Sequence, residues 1–567
     1  MVRLKKIYPT ERYGKFANLQ ELVSSSAMRF GDKPLYKYFD ADGQIREMSY
    51  CTFGNATRAL GTALAARGLL GKRIAILSES RPEWMVGYVS TIGGGGVTVP
   101  LDRELQTEQI RNFLNVSEAE AILFSAPYEK ALLEMAPELP GVRAFIAFDE
   151  TSETWPPELA GRLLSYRRMV EDGQEMYENG NDAYTSAKVD VYAMSAIIFT
   201  SGTTGTSKGV MLSHDNLLEC IRASANMVNF SSRDVLLSVL PLHHTYETCC
   251  GMLTPICIGA TVCINNSLKY VVRNMNIFRP TGMILVPLFV STIYKKICDE
   301  VRKKGKEKLL ARGIAVTKMV RKVGIDLRKK LFASVTSTFG GELLGIICGG
   351  APLKPFLPDF FDSIGITLIN GYGISEGGRP CFHDYEAVGL PLPETEIRID
   401  NPNENGEGEI CVKGRNVMLG YYKNEAATAE AITDGWFHTG DIGKLGHDGF
   451  LFITGRMKNV IILQNGKNVY PEEIEDKLSA MCEYIGEIII FASKKDENSE
   501  QTVLGAEIFP DAERAKIHGI SDVQEVIKKA ISDYNEKEPS YKVIKNIVFR
   551  TEEFEKTTSK KIKRKYN

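Results

Sequence analysis

Ten consecutive residues, Thr200-Ser201-Gly202-Thr203-Thr204-Gly205-Thr206-Ser207-Lys208-Gly209, combine small side chains, hydroxyls and one lysine, and they follow directly on the apolar run Ile197-Ile198-Phe199. Glycines let successive backbone N–H groups turn toward an anion, hydroxyls add donors, and Lys208 adds positive charge. The pattern is that of a phosphate cradle fed by a buried strand. It is not a Walker A loop, in which Gly-Lys-Ser/Thr leads into a helix: here Ser207 precedes Lys208 and Gly209 follows it. A strand-like Val210-Met211-Leu212 comes next, with Ser213 and Asp215 as candidate helix caps.

Three further stretches carry chemically suggestive residues. Asn370-Gly371-Tyr372-Gly373-Ile374-Ser375-Glu376-Gly377 has the spacing GxGxxxG, and Gly378 and Pro380 discourage the helix that a dinucleotide fingerprint needs, so that reading fails. Upstream, Gly349-Gly350-Ala351-Pro352 offers a turn that another backbone can approach closely. Asp448-Gly449 predicts a two-residue hairpin turn, and a bulge-free register then sets Asp441 directly opposite Arg456. On the residues alone, a simple cross-strand ion pair accounts for that meeting as well as a ligand site does. Near the C-terminus, Lys556-Thr557-Thr558-Ser559-Lys560-Lys561-Ile562-Lys563-Arg564 reads by itself as a solvated basic tail.

The elements that must position these residues follow from periodicity. From about residue 70, short apolar strands (Arg73–Leu77, 97–101, Ala121–Phe124) alternate with helical patterns (from Pro82 to Gly93-Gly96, and 106–116), which predicts a parallel sheet covered by helices. Residues 235–240, 260–265 and 281–286 repeat the pattern and imply a second such layer. Residues 400–456 change to short alternating strands with Gly and Asp-Gly turns, a small antiparallel unit, and the remainder returns to a mixed α+β pattern in which Pro471 with Glu472 and Glu473 opens a helix. The fold class is therefore α/β: a large N-terminal domain (1–455) of two helix-flanked sheets plus an antiparallel β unit, and a smaller, mobile α+β C-terminal domain (456–567). Residues 301–330 hold twelve Lys/Arg against Glu307 and Asp326, with Val316, Val320, Val323 and Leu327 as a thin apolar stripe. They form either a solvated helical face or a docking surface for anionic lipid or phosphates.

Composition sets the outer limits. In 567 residues, 69 Lys+Arg against 71 Asp+Glu argue against a surface given over to nucleic acid. No apolar run reaches the ~18–20 residues of a membrane span, and the N-terminus lacks the apolar core of a secretory signal. Eleven scattered cysteines without CxxC pairing suit reduced core thiols, and seven histidines without HExxH or zinc spacing suit a protein without a structural metal. The expected location is cytoplasmic, with possible peripheral contact at the inner membrane face through 301–330.

The loop Ser201–209 closely resembles the phosphate loop of the adenylate-forming enzymes, which comprise acyl-CoA synthetases, firefly luciferase and non-ribosomal peptide adenylation domains; the other motifs follow in the family's order from about residue 15 to 565. The resemblance implies ATP, Mg²⁺ and coenzyme A as cofactor and co-substrates. It implies that Thr200, Ser201, Gly202, Thr203, Thr204, Gly205 and Lys208 hold phosphates. Gly349, Gly350 and Ala351 would line the adenine on one side and Asn370, Gly371, Tyr372, Gly373 and Ser375 on the other, with Tyr372 packed on the base. Glu376 and Thr200 would hold Mg²⁺, and Asp441, from the Thr439-Gly440-Asp441 motif, would accept the ribose hydroxyls with Arg456 nearby. Lys458 falls at the interdomain hinge, and Gly466 in the loop lining the pantetheine channel. Lys561 falls on the catalytic lysine of the terminal motif; Lys560 stands where that motif has Gly and is a second candidate.

Substrate class rests on residues 235–298. In Val239-Leu240-Pro241-Leu242-His243-His244-Thr245-Tyr246-Glu247, His244 falls on the family's acyl gate, or is a structural imidazole. Glu247 is the sole acid of that stretch, so it offers little to balance a substrate ammonium, which disfavours amino-acid activation. The apolar run 284–290, with Val286, Pro287 and Leu288, suits either an acyl tail or a plain core strand. The expected activity is ATP-dependent formation of an acyl-adenylate and then an acyl-CoA thioester from a medium- or long-chain fatty acid. An aryl- or bile-acid-type CoA ligase is the first alternative and a non-catalytic acyl or nucleotide sensor the second, and the oligomeric state stays open.

Overall fold

Apolar runs in the first third of the chain become strands buried on both faces, as parallel sheets covered by helices require. In the computed structural model, which describes residues 12–200, 208–228, 230–351, 353–354, 356–373, 376–377, 387–463, 468–494, 502–556 and 562–564, they build an eight-stranded sheet. Its order is Gly420–Tyr421, Lys208–Ser213, Met194–Thr200, Val97–Pro100, Arg73–Leu77, Ala121–Phe124, Ala144–Ala147 and Leu163–Ser165. All neighbours are parallel except around Lys208–Ser213, which runs antiparallel to both of its partners.

The second layer predicted from the middle of the chain is a seven-stranded sheet ordered Thr367–Asn370, Gly345–Cys348, Gly282–Leu285, Val235–Ser238, Thr261–Ile264, Pro34–Phe39 and Ile45–Ser49. The last two strands come from the N-terminal region; Tyr36 pairs in parallel with Val262. One core joins the sheets: Ile76 and Leu123 of the first and Val262 and Ile264 of the second share a cluster with Trp84 and Tyr88 of the helix Pro82–Gly93. That helix is buried nearly all round, which is what its sequence, apolar on every face, demands.

The third sheet is antiparallel, built from Thr395–Asp400, Gly408–Gly414, Trp436–Leu445, Ile432–Thr433 and Leu451–Arg456. Asp441 does pair with Arg456, but the bulge-free hairpin with a two-residue turn is corrected. Leu445 pairs with Leu451, Gly446 N–H donates to Phe450 O at 2.8 Å, and Gly449 takes φ +84°, so the loop has three residues, 447–449. A bulge between Ile442 and Gly443 restores the register. Two one-residue irregularities cancel, a device typical of strands that must re-aim a side chain.

The C-terminal region has its own core, in which Ile474 and Leu478 of the helix Pro471–Met481 and Ile531 of Val523–Asn535 pack on the sheet Ile485–Lys494, Thr502–Pro510 and Ile544–Phe549. The basic segment holds the helix Glu307–Arg321. Leu310 and Ile314 pack inward and Thr317 is buried, whereas Val316, Val323 and Leu327 are exposed. The apolar run 284–290 is also corrected: it splits at Val286 into the strand Gly282–Leu285 and the helix Pro287–Lys303. The cysteines among the described residues are all free, and none of the described helices is long and apolar enough to cross a membrane.

Candidate active site

The antiparallel strands Met194–Thr200 and Lys208–Ser213 hold the base of the hydroxyl-rich loop. Thr200 pairs with Lys208, and the Thr200 hydroxyl donates to Lys208 O at 3.3 Å. The Lys208 ammonium lies 4.7 Å from the Tyr421 ring centroid, a cation–π contact that holds the stem. Beyond it Ser213 caps the helix His214–Met227, accepting from Asn216 N–H at 3.1 Å, as the sequence predicts. Ser201, Gly202, Thr203, Thr204 and Gly205 lie outside the described residues.

In the other sheet the parallel strands Gly345–Cys348 and Thr367–Asn370 end side by side, with Cys348 opposite Asn370. They deliver Gly349-Gly350-Ala351 and Gly371-Tyr372-Gly373 to one place at the carboxyl edge, where open α/β sheets bind ligands. The glycine at 349 is a requirement of packing, because a Cβ there would lie 2.9 Å from Gly371 O. Gly350 takes φ +84°, a left-handed conformation that favours glycine. Ser375 and the side chain of Glu376 lie outside the described residues.

The third sheet supplies a carboxylate held from several directions. Asp441 accepts from Arg456 Nε at 2.8 Å and from the Tyr372 hydroxyl at 2.5 Å. Its own N–H donates to Thr439 Oγ1 at 3.0 Å, and Thr439 donates to Ile410 O at 2.7 Å. Glu409 accepts from Gly440 N–H at 3.0 Å and lies 2.8 Å from His438 Nδ1, so one acid braces both residues of the approach to Asp441. Sequence reasoning missed Glu409: no local motif marks it, and only the cross-strand register brings it to Gly440. The same face gathers Asp400, Cys411 and His438 within 4.8 Å of one another, a grouping invisible in linear spacing. Arg398 already holds Asp400 at 2.6 Å, and burial leads the causes that push the Cys411 thiol up to about 12.

A cavity of about 1190 Å³ joins the stem of the hydroxyl-rich loop to the Gly350-Ala351 turn, and Tyr372, Asp441 and Arg456 are not among its lining residues. Thr200, Gly350, Ala351, His244, Tyr246 and Val286 line it from the two sheets, and Lys556 and Lys563 from the C-terminal tail. Lys556 bridges Ile562 across 557–561, and Arg564 anchors the tail on Glu475 at 2.5 Å. Burial pushes the Glu475 carboxyl up to about 7. A smaller apolar cavity of about 60 Å³ lies beside the large one, lined by Cys220, Phe230, Cys250 and Ile347, and Tyr246 lines both. Directly after Tyr246, residues Glu247–Leu253 form a π-helix, an irregularity frequent at functional sites.

Residues 23–422 match the family of AMP-binding enzymes, and residues 458–566 match the AMP-binding enzyme C-terminal domain. The chain belongs to the AMP-binding enzyme family. This AMP-binding enzyme is 31% identical over 516 residues to the peroxisomal long chain acyl-CoA synthetase 6 of Arabidopsis thaliana, covering 84% of this chain and 71% of the relative. It is 30% identical over 499 residues to the human long-chain-fatty-acid–CoA ligase 1, covering 82% and 70% respectively. Among solved structures, the anthranilate CoA ligase AuaEII in complex with anthranoyl-AMP shares its fold with a TM-score of 0.76 at 18% identity, over 97% of this chain and 96% of that one.

Other residues named from the sequence of this AMP-binding enzyme fall as follows. His244 and Val286 line the large cavity, whereas Leu288 is 47% exposed on the first turn of the Pro287–Lys303 helix and Pro287 does not line it. Lys458 is exposed in the 3₁₀ turn Met457–Asn459, the short link between the third sheet and the C-terminal region. Gly466, Lys560 and Lys561 lie outside the described residues. Next to His244, His243 lies 3.5 Å from Asp102, and burial is the largest of the causes that push its imidazole down to about 3, so it is neutral at pH 7. Glu247 is fully buried and accepts from the Ser238 hydroxyl, and burial pushes its carboxyl up to about 8. A carboxyl neutral at pH 7 is no counter-ion for an ammonium, which strengthens the case against an amino-acid substrate.

Proposed function

We propose that this AMP-binding enzyme activates a long-chain fatty acid in two steps on one site. A carboxylate oxygen of the acid attacks the α-phosphorus of ATP, the bond from that phosphorus to the bridging oxygen of pyrophosphate breaks, and acyl-adenylate forms. The thiol of coenzyme A then attacks the acyl carbonyl, AMP leaves with the electron pair of the broken bond, and the thiol proton passes to solvent. The long-chain acyl-CoA synthetases that match most of the chain support this substrate class.

Asp441 would accept the ribose hydroxyls in place of its present Arg456 and Tyr372 contacts, and Tyr372 would lie on the base. The Thr200–Lys208 loop and Lys561 would stabilise charge that grows on the phosphate oxygens. Thr200 lines the cavity and, with the Glu376 carboxylate, would make an all-oxygen donor set that fits Mg²⁺; bound there, the ion would neutralise phosphate charge. Domain 456–567 would then turn on domain 1–455 about Lys458, withdraw Lys561 and bring the Gly466 loop to the pantetheine. Tyr246, between the two cavities, would gate the acyl chain together with His244. The same reading gives segment 301–330 peripheral contact with the lipid that supplies such acids.

The observation that carries this reading is the single cavity lined at once by Thr200, by the Gly350-Ala351 turn and by Lys556 and Lys563 of the tail. Pyrophosphate release from ATP over a panel of acids, with and without coenzyme A, tests it: release is expected with long-chain acids, and release with none of the panel would leave only the sensor. One observation favours an aryl acid as the second reading, namely the size of the apolar cavity, about 60 Å³, which a long chain must enlarge. In the same panel, higher kcat/KM for benzoate-type acids than for palmitate would select it.

A further inference from the structure

The helix Glu307–Arg321 has one covered side and one bare side. Leu310 and Ile314 pack on the core of the second sheet, and Lys318 and Arg321 reach Asp359 and Asp362 of the helix Phe356–Ser363 at 2.7 and 2.5 Å. The other side presents Leu309, Val316 and Met319, which are 64%, 42% and 65% exposed, and the segment that follows the helix adds Val323 and Ile325, 73% and 51% exposed. Steps of seven and three residues keep the first three on one helical stripe. In the same segment Lys306, Lys308, Arg312, Lys322, Lys329 and Lys330 are all exposed and without an ion-pair partner among the described residues. The two acids of the segment are engaged locally, Glu307 by Arg302 at 2.9 Å and Asp326 by Arg328 at 2.7 Å.

An exposed apolar stripe rimmed by one sign of charge marks a binding surface and limits what can cover it. A second copy of this chain would bring the same cations to the same rim, so a two-fold contact would be repulsive. We propose that this ridge docks on an anionic lipid surface, with Leu309, Val316, Met319 and Val323 entering the boundary between headgroups and acyl chains and the lysines and Arg312 lying on lipid phosphates. The proposal rests on the fatty-acid reading, since such acids partition into bilayers. It also follows the chain: Val286 and Phe289, at the start of the Pro287–Lys303 helix, line the large cavity, and the end of that helix runs into the ridge. A helix of 17 residues spans ~25 Å, so lipid surface and cavity would sit at the two ends of one rigid rod.

Co-sedimentation of the full chain with phosphatidylcholine vesicles, with and without phosphatidylglycerol, tests this. Binding is expected only to the anionic vesicles and is expected to weaken as salt rises. The triple variant Lys308→Glu, Arg312→Glu, Lys322→Glu should lower partitioning ~100-fold or more. The double variant Met319→Ser, Val323→Ser should lower it ~10-fold. Both should release pyrophosphate with a short, soluble acid at the wild-type rate, so a failure of the ligase reading would show separately in the wild type. Wild-type chain that stays in the supernatant with anionic vesicles, a triple variant that sediments like wild type, or salt-insensitive binding would each overturn the proposal. A concentration-dependent dimer dissolved by the serine variant would assign the ridge to a second copy instead.

Discussion

The junction between the N-terminal and C-terminal regions has two sides, built in opposite ways. On one side, Asp441 is only 9% exposed in its side chain and is fixed by Arg456 and Tyr372, both of which precede Met457. On the other side, the Pro287–Lys303 helix meets the C-terminal domain through side-chain ion pairs: Lys295–Asp511 at 2.9 Å, Asp299–Arg514 at 3.3 Å, in which Arg514 is buried, and Arg302–Glu483 at 3.6 Å. Register and backbone set the first cluster, which can survive any turn of the C-terminal domain. The second links the two regions, so a turn of one on the other would have to release it. The exposed pairs among them are worth ~0–1 kcal/mol each, weak enough for such a turn to break.

Removing the fixed charge should therefore have the largest consequence. Asp441→Ala should lower kcat/KM for ATP in pyrophosphate release by ~10²–10³-fold while leaving the Tm nearly unchanged; a loss under threefold would mean that the cluster is a plain cross-strand ion pair. A buried carboxyl that keeps its proton provides an intermediate case. Glu247 has a folded-state pKa of about 8 against an ordinary value near 4.5, so the folded chain keeps a proton that the unfolded chain releases. The stability it contributes is complete below about pH 4.5 and is lost as pH rises through about 8, a slope of ~1 kcal/mol per pH unit. Glu247→Gln should flatten that slope in denaturant titrations across the window. The smallest effect belongs to the crossing pairs. Asp299→Asn should shift the balance of the two half-reactions by ~2–3-fold at low salt, and added salt should erase the difference. A tenfold, salt-independent effect would make this side as fixed as the other and remove the contrast.

Much of this arrangement was legible in the sequence, and the gaps have identifiable causes. Apolar runs bounded by glycine and proline gave the strands of both sheets, because a strand buried on two faces needs no partner in view to be recognised. The strands Pro34–Phe39 and Ile45–Ser49 escaped notice, since Tyr36 finds its partner Val262 only through tertiary structure. The Asp441–Arg456 pairing followed from one Asp-Gly turn, yet it holds because a three-residue loop and a bulge offset one another. Glu409 could not be found, because its role depends on a register shift in that same sheet. In the Glu307–Arg321 helix the apolar stripe was legible, but not which way it faces: Thr317 is buried while Val316 is exposed, and Lys318 and Arg321 pair with Asp359 and Asp362.

The central claim is that one cavity runs two reactions with the C-terminal lysine serving only the first. Two rates of the Lys561→Ala variant test it most directly: pyrophosphate release from ATP and a long-chain acid, and thioester formation from supplied acyl-adenylate and coenzyme A. The account predicts a fall of ~10³-fold in the first and less than about threefold in the second. Equal loss of both would contradict it.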